Sequence, residues 1–202
     1  MLLQKFITKI RKIIKMSKLN ELKVTRVRNV KLPTRANNLD CGYDLYMPAD
    51  LVRMDMVKTF EITKVQPRVD YDMSSGYLKN LFIAPGEDVI IPSGVKIRVP
   101  VGYVLKIENK SGVAATKSLI VGSCIVDCGY TGEILINLHN VSDKKVAVLN
   151  PQDKICQFVL YRCETPEIVE VATPVELFKD LDSSRGEGGF GSTDRPIGMT
   201  NV

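Results

Sequence analysis

Residues 85–108 of this chain read PGEDVIIPSGVKIRVPVGYVLKIE. Three short runs rich in valine and isoleucine are preceded and separated there by Pro-Gly, Pro-Ser-Gly and Pro-Val-Gly. Because proline and glycine interrupt regular structure while β-branched residues favour strands, this spacing predicts short strands joined by tight turns. Such a series is typical of an all-β sandwich or barrel.

The same alternation of β-rich runs and turn signals extends over residues 81–162, with turns at 129–132 and 150–151. Only residues 111–117, which are small and polar and include an alanine pair, predict a short helix. The residues alone therefore predict an all-β domain with one short helix. The predicted strands are 88–91, 95–99, 103–108, 134–138, 145–149 and 155–161.

The composition is that of one ordinary globular domain: 202 residues, 45% hydrophobic and 25% charged, with no apolar run near the length of a membrane span. The net charge of +5 is misleading, because residues 1–20 hold six Lys/Arg and no acid. The remainder carries 22 basic and 23 acidic residues, a net of −1. We expect no nucleic-acid partner, since such a partner requires a basic patch on the folded surface.

The cysteines at positions 41, 124, 128, 156 and 163 are odd in number, which argues against a disulfide framework. A reducing compartment is expected, the cytoplasm or a host cytoplasm. Cys124 and Cys128 are spaced like metal ligands, but with a single histidine, His139, buried thiols are favoured over a zinc site. His139 lies in a strand-like run and is expected to be structural.

Two segments stand outside the strand pattern. Residues 1–16 place apolar side chains at helical spacing opposite basic ones, which indicates a basic amphipathic helix. Membrane contact or targeting is one interpretation, and an upstream start codon before Met16 is the other. In residues 51–80, a strand is predicted over 57–65, and a surface arm is favoured over an interaction surface.

The segment Ser184-Arg185-Gly186-Glu187-Gly188-Gly189-Phe190-Gly191-Ser192-Thr193 combines four glycines, hydroxyl donors, a guanidinium and one aromatic face. Phosphates bind convergent N–H and O–H donors and a cation, and a base stacks on an aromatic ring. A nucleotide-binding segment is therefore one interpretation. A disordered Gly/Ser tail is the alternative from composition alone.

Four more short motifs precede this segment: residues 41–46 (CGYDLY), 110–113 (KSGV), 122–134 (GSCIVDCGYTGEI) and 152–157 (QDKICQ). Together with the segment 184–193, and in this order, they resemble the five motifs of the homotrimeric dUTPases. The resemblance implies a jelly-roll-like subunit in a homotrimer with shared active sites. It also implies Mg²⁺-dependent hydrolysis of dUTP to dUMP and pyrophosphate, which keeps uracil out of DNA. After a dispensable leader of residues 1–20, the domain would span 21–182, with residues 51–80 as an insertion relative to the family pattern and 183–202 as a flexible arm closing over the site.

The resemblance also assigns roles in the third motif. Asp127 would orient and deprotonate the water that attacks the α-phosphorus. Tyr130 would lie against the deoxyribose and exclude a 2′-hydroxyl. Backbone groups around Gly122, Ile125 and Val126 would pair with the uracil edge, so that apolar side chains there are compatible with specificity.

The other motifs would supply the phosphate site. Ser111, with Lys110 and Gly112, matches the donors to the phosphate bridge, and Gln157 matches the donor to the α-phosphate. Asp44 resembles a partner for metal-bound water rather than a direct ligand, since Mg²⁺ would be held mostly by the phosphates. The arm residues implied are Arg185, Phe190 for stacking on uracil, Gly191, Ser192 and Thr193.

Several positions depart from the family pattern. Lys110 stands where arginine is usual and loses the bidentate fork, which weakens the expected triphosphate contact. The other departures are Val113, Cys124, Lys154 and Asp194.

Two alternatives remain open from the sequence. A dCTP deaminase shares the fold but relies on a glutamate where this chain has Asn137. A non-enzymatic regulator would bind a protein partner through residues 51–80.

Overall fold

The computed structural model describes residues 21–184 and 186–187. The predicted amphipathic segment, Arg185 and residues 188–202 lie outside this description. By its internal contacts the chain divides between Thr165 and Pro166. The boundaries proposed from sequence at residues 20 and 182 stay predictions.

The described strands are all antiparallel and form four sheets, which confirms the all-β class; they do not close into a barrel. The sheets have the strand orders β1-β6, β5-β10-β8, β11-β4-β3 and β2-β12-β7-β9. The strands are β1 (Val24–Arg26), β2 (Tyr43–Tyr46), β3 (Arg68–Tyr71), β4 (Leu78–Ile83), β5 (Asp88–Pro92), β6 (Val95–Ile97), β7 (Tyr103–Glu108), β8 (Leu119–Val121), β9 (Ile125–Val126), β10 (Leu135–Asn140), β11 (Ala147–Leu149) and β12 (Lys154–Arg162).

All six predicted strands are confirmed, with ends that differ by at most two residues. Inward-facing residues alternate along them, as the period of a strand requires. In β10, Ile136 and Leu138 are buried, whereas Asn137 and His139 between them are half-buried. The His139 ring nitrogen Nε2 lies 2.7 Å from Asn137 Oδ1, so the one histidine makes a structural contact.

Three helices lie in the described part of the chain: α1 (Arg53–Thr63), α2 (Ser111–Lys117) and α3 (Pro174–Leu177). The helix predicted over 111–117 is confirmed. None of the described helices is long and apolar enough to cross a membrane.

The strand predicted over 57–65 is wrong, because these residues belong largely to α1. Their β-branched and aromatic composition suggested a strand, but the helix is fixed at its ends. The Asp55 carboxylate accepts the backbone N–H of Val52 at 3.0 Å, and Lys64 ends the helix in the left-handed region with φ of 61°. Asp55 three residues after Val52 is the sequence signal that was missed.

The predicted surface arm is also wrong for the first half of the insertion. Leu51 and Met56 are fully buried in the core. The Thr59 hydroxyl donates to the Ile90 carbonyl at 2.5 Å, which ties α1 to β5. The second half pairs β3 with β4, which in turn pairs with β11. The insertion is therefore packed into the domain through one face of α1 and through β4, while the turn between Tyr71 and Leu78 is exposed throughout.

Candidate active site

Asp127 opens a tight turn after β9. Its carbonyl accepts the backbone N–H of Tyr130 at 3.1 Å, which closes the turn. The side chain is exposed, and no hydrogen bond or ion pair from the described residues engages its carboxylate. A rigidly mounted, unengaged carboxylate is able to accept a proton from a bound water.

The Tyr130 ring lines the same cavity as Asp127 and is anchored through its hydroxyl. Its hydroxyl donates to the Glu133 carbonyl at 2.8 Å, and a Cβ at position 132 would overlap the ring, so Gly132 permits the close approach. The residue is 44% exposed, so the side chain is accessible to a ligand. A cavity of about 170 Å³ adjoins it, lined by Ile125, Val126, Asp127, Tyr130, Ile134 and Leu135.

A second group of motif residues gathers at the end of β7. Lys110 precedes α2. Ser111 and Gly112 are the first two residues of that helix, and both are exposed. Gln157 on β12 donates through Nε2 to the Asn109 carbonyl at 2.9 Å. A Cβ on Gly42 would overlap the Gln157 amide, so that glycine lets the first motif approach the fourth.

Asp44 lies beneath this group and is 2% exposed. Its two carboxylate oxygens form ion pairs with Lys110 at 2.8 Å and Lys154 at 2.6 Å. Burial alone would raise the pKa of Asp44, but the two ammonium groups outweigh it and hold the pKa below its usual range. Asp44 in turn raises the pKa of Lys154. Lys110 and Lys154, both departures from the family pattern, thus converge on one carboxylate.

We expect Asp44→Asn to lower the free energy of unfolding by about 1.5–3 kcal/mol at pH 7, the range for hydrogen bonds to charged groups. A depressed carboxyl pKa stabilises the fold above the unfolded pKa of about 3.9, and this contribution is lost as the pH falls through the lower folded value. Urea unfolding at fixed protein concentration should therefore show a difference that shrinks below about pH 4. A difference that stays constant from pH 7 to pH 3 would contradict the ion pairs.

The two groups of site residues lie apart within one chain. Val126 pairs with Leu105 on β7, whereas Gln157 pairs with Glu108. These positions are three residues apart, about 10 Å at the usual rise of a strand. Because β9 is antiparallel to β7, the chain carries Asp127 further away from Ser111. A nucleotide contacting Asp127 is thus separated from the Ser111 group of the same chain.

Several further residues shape the site. Gly122 donates its N–H to the Asn137 carbonyl, and a Cβ there would overlap the Asn137 and His139 side chains. Sequence reasoning missed Asn109, whose Oδ1 accepts the N–H of Val121 at 2.7 Å, and Glu133, which contacts Arg28. Glu133 directly follows the third-motif glycine, and that position was the available signal. The predicted Arg185, Phe190, Gly191, Ser192 and Thr193 lie outside the described residues.

No cluster of three His, Cys, Asp or Glu side chains able to hold a metal ion occurs in residues 21–184 and 186–187. With both Asp44 oxygens facing ammonium groups, that carboxylate is not arranged as a direct metal ligand.

A family model described as dUTPase matches residues 66–194. The deoxyuridine 5′-triphosphate nucleotidohydrolase of Mycolicibacterium vanbaalenii is 33% identical over 168 residues, covering 82% of this chain and 89% of the relative. The protein of the same name from Oryza sativa subsp. japonica is 30% identical over 188 residues, covering 93% and 84%.

Solved structures share the fold. A mutant dUTPase of Staphylococcus bacteriophage 80alpha, with dUpNHpp, superposes with a TM-score of 0.62 at 21% identity, covering 86% of this chain and 98% of that one. The dUTPase from phage phi11 of S. aureus gives 0.57 at 22% identity, covering 76% and 97%. The fold, the matched residues and the relatives agree: the chain belongs to the dUTPase family.

Proposed function

We propose that this chain hydrolyses dUTP to dUMP and pyrophosphate by attack of water on the α-phosphorus. Family membership and relatives named as nucleotidohydrolases support hydrolysis of dUTP. The observation that carries the mechanism is the exposed, unengaged carboxylate of Asp127 beside the cavity lined by Val126 and Tyr130. The reaction would supply dUMP, and removal of dUTP would keep uracil out of DNA.

The hairpin that follows β9 would recognise the nucleoside. Uracil has two carbonyls and one N–H, which the backbone around Ile125 and Val126 can pair without polar side chains. The Tyr130 hydroxyl is bonded to the Glu133 carbonyl and the ring lies close to Gly132, an arrangement that would hold the ring against the sugar and exclude a 2′-hydroxyl. Asp127 would hold the attacking water and take its proton.

The group at the end of β7 would receive the phosphates. The Ser111 hydroxyl and the Gly112 N–H are exposed for the phosphate bridge, and Gln157 would donate to the α-phosphate. Lys110 contributes positive charge while it stays paired with Asp44. Mg²⁺, held chiefly by phosphate oxygens and water, would neutralise the triphosphate. Asp44 suits a role through water, since its own oxygens face lysines.

A complete site would need more than one copy of the chain. The separation of Asp127 from Ser111 along β7 supports a site in which one copy supplies the hairpin and another supplies the residues that bind the phosphates. A closed homotrimer provides three such sites by symmetry. Residues 183–202, with Phe190 and Arg185, would close over each site and exclude water.

One assay tests the proposal: dUTP, dCTP, UTP and dTTP are supplied separately with Mg²⁺, and the products are resolved by chromatography. We expect pyrophosphate from dUTP alone. Formation of dUTP from dCTP would instead support the deaminase alternative, for which Asn137 offers no carboxylate and is paired with Asp88 at 3.1 Å. The absence of turnover with all four nucleotides would support the regulator.

The five cysteines are all free thiols, which supports a reducing compartment such as the cytoplasm.

A further inference from the structure

Arg28 joins the insertion to the substrate hairpin, the turn of residues 127–133 that carries Asp127 and Tyr130. Arg28 Nε donates to Glu133 Oε1 at 2.8 Å. Its two terminal nitrogens donate to both oxygens of Asp55, at 3.1 and 2.9 Å. The side chains are 20% exposed for Arg28, 7% for Asp55 and 18% for Glu133. Three charges are thus largely withdrawn from solvent and matched in a fork geometry specific to arginine.

Both carboxylates are also held by the backbone. Glu133 Oε1 accepts the N–H of Gly94 at 2.8 Å, and Asp55 Oδ2 accepts the N–H of Val52 at 3.0 Å. Neither carboxylate can rotate away from Arg28 without leaving a backbone donor without its partner, which is costly in a buried setting. The bridge therefore has fixed ends on both sides.

A single residue, Glu133, connects the Arg28 bridge to the Tyr130 ring. The Glu133 side chain binds Arg28, while the carbonyl of the same residue accepts the Tyr130 hydroxyl at 2.8 Å. Leu135, two residues further on, lines the 170 Å³ cavity beside Asp127. It also lines a cavity of about 410 Å³ against α1, together with Arg28, Asp55 and Thr59. The insertion helix and the nucleoside cavity thus share one wall.

We propose that Arg28 is a positioning residue for the substrate hairpin and that Asp55 of the insertion is its anchor. Through Glu133 the bridge holds the Tyr130 ring at the distance from the sugar that rejects ribose. The insertion then contributes to nucleotide selection from behind the site without touching the nucleotide. This role rests on the proposed function, because it deepens the part given to Tyr130.

The test uses Arg28→Lys, which keeps the positive charge but loses the fork that serves both carboxylates. We expect the ratio of kcat/KM for dUTP over UTP to fall by about two- to thirtyfold, the usual range of indirect coupling. Asp55→Asn keeps the size of the side chain and one acceptor oxygen, and it should also lower this dUTP-over-UTP ratio. Tyr130→Ala sets the largest loss that the hairpin can show.

A second readout does not depend on activity. Amide hydrogen exchange at residues 127–133 of the free protein should be faster in Arg28→Lys and Asp55→Asn than in the wild type, because the Tyr130 N–H bond to the Asp127 carbonyl loses its support. The matched control is Asp70→Asn, an exposed carboxylate of the same insertion that, within the described part of the chain, is bonded through its side chain to the Asn80 amide alone, at 3.2 Å. It should leave exchange and selectivity unchanged.

An unchanged dUTP-over-UTP ratio, or unchanged exchange at 127–133, in both variants would overturn the positioning role. A loss of stability with normal selectivity would leave the bridge purely structural and equally overturn it. Should the wild type hydrolyse no dUTP, the proposed function would fail, and the exchange comparison would still decide whether the bridge holds the hairpin.

Discussion

Asp127→Asn is expected to lower kcat for dUTP by about 10²–10⁴, the usual contribution of a general base. Asparagine keeps the size of the side chain and the backbone bond from Tyr130, but its amide cannot take a proton. Because Asp127 is exposed and has no partner in the described chain, the substitution breaks no folded-state contact. The fall in kcat would therefore report chemistry rather than unfolding.

Steady-state kinetics with Mg²⁺ and calorimetric binding of a non-hydrolysable dUTP analogue would separate turnover from affinity. Affinity should stay close to that of the wild type. Asp143→Asn is the matched control, since that side chain is 82% exposed and, among the residues that the structure describes, pairs with Lys144 alone, at 3.8 Å. Turnover near the wild-type level in Asp127→Asn would remove this carboxylate from the mechanism.

Local sequence signals predicted six of the twelve described strands, because turns containing proline or glycine separate the β-rich runs between 85 and 162. The helix at Ser111–Lys117 followed from its small residues. Helix α1 did not, because Val57, Phe60 and Ile62 are strand-favouring residues whose propensity is overruled by tertiary contacts. The hydrogen bond from Thr59 to Ile90 joins segments 31 residues apart, which no local pattern reports.

The identities of the site residues could be predicted by resemblance, but their arrangement could not. The distance between Asp127 and Ser111 follows from the register of β9 and β12 on β7, which the sequence does not specify. Arg28 and Glu133 are 105 positions apart, so their contact is invisible to motif spacing. The pairing of Lys110 and Lys154 with one buried carboxylate likewise appears only when three motifs meet.

Register also leads to a prediction about assembly. Two variants that are each inactive should restore activity when they are combined in one oligomer. Asp127→Asn disables the hairpin, and Ser111→Ala disables the phosphate-binding residues at the end of β7. Alanine suits the first turn of α2, and the exposed Ser111 hydroxyl has no partner among the described residues, so the fold should survive both changes. Co-expression with two different affinity tags and sequential purification would isolate oligomers that contain both chains.

In a mixed oligomer some sites combine the intact hairpin of a Ser111→Ala chain with the intact phosphate-binding residues of an Asp127→Asn chain. A cyclic trimer that contains both chains has one such pair among its three interfaces, so after the two-tag purification kcat per site should reach about a third of the wild-type value. Each variant alone sets the baseline. If the hairpin and the phosphate-binding residues of the same chain formed the site, no mixture could contain an intact site. The activity of the mixed oligomer would then be only the average of the activities of its two inactive parents. Recovery well above that average therefore requires that β9 of one copy faces the end of β7 in another.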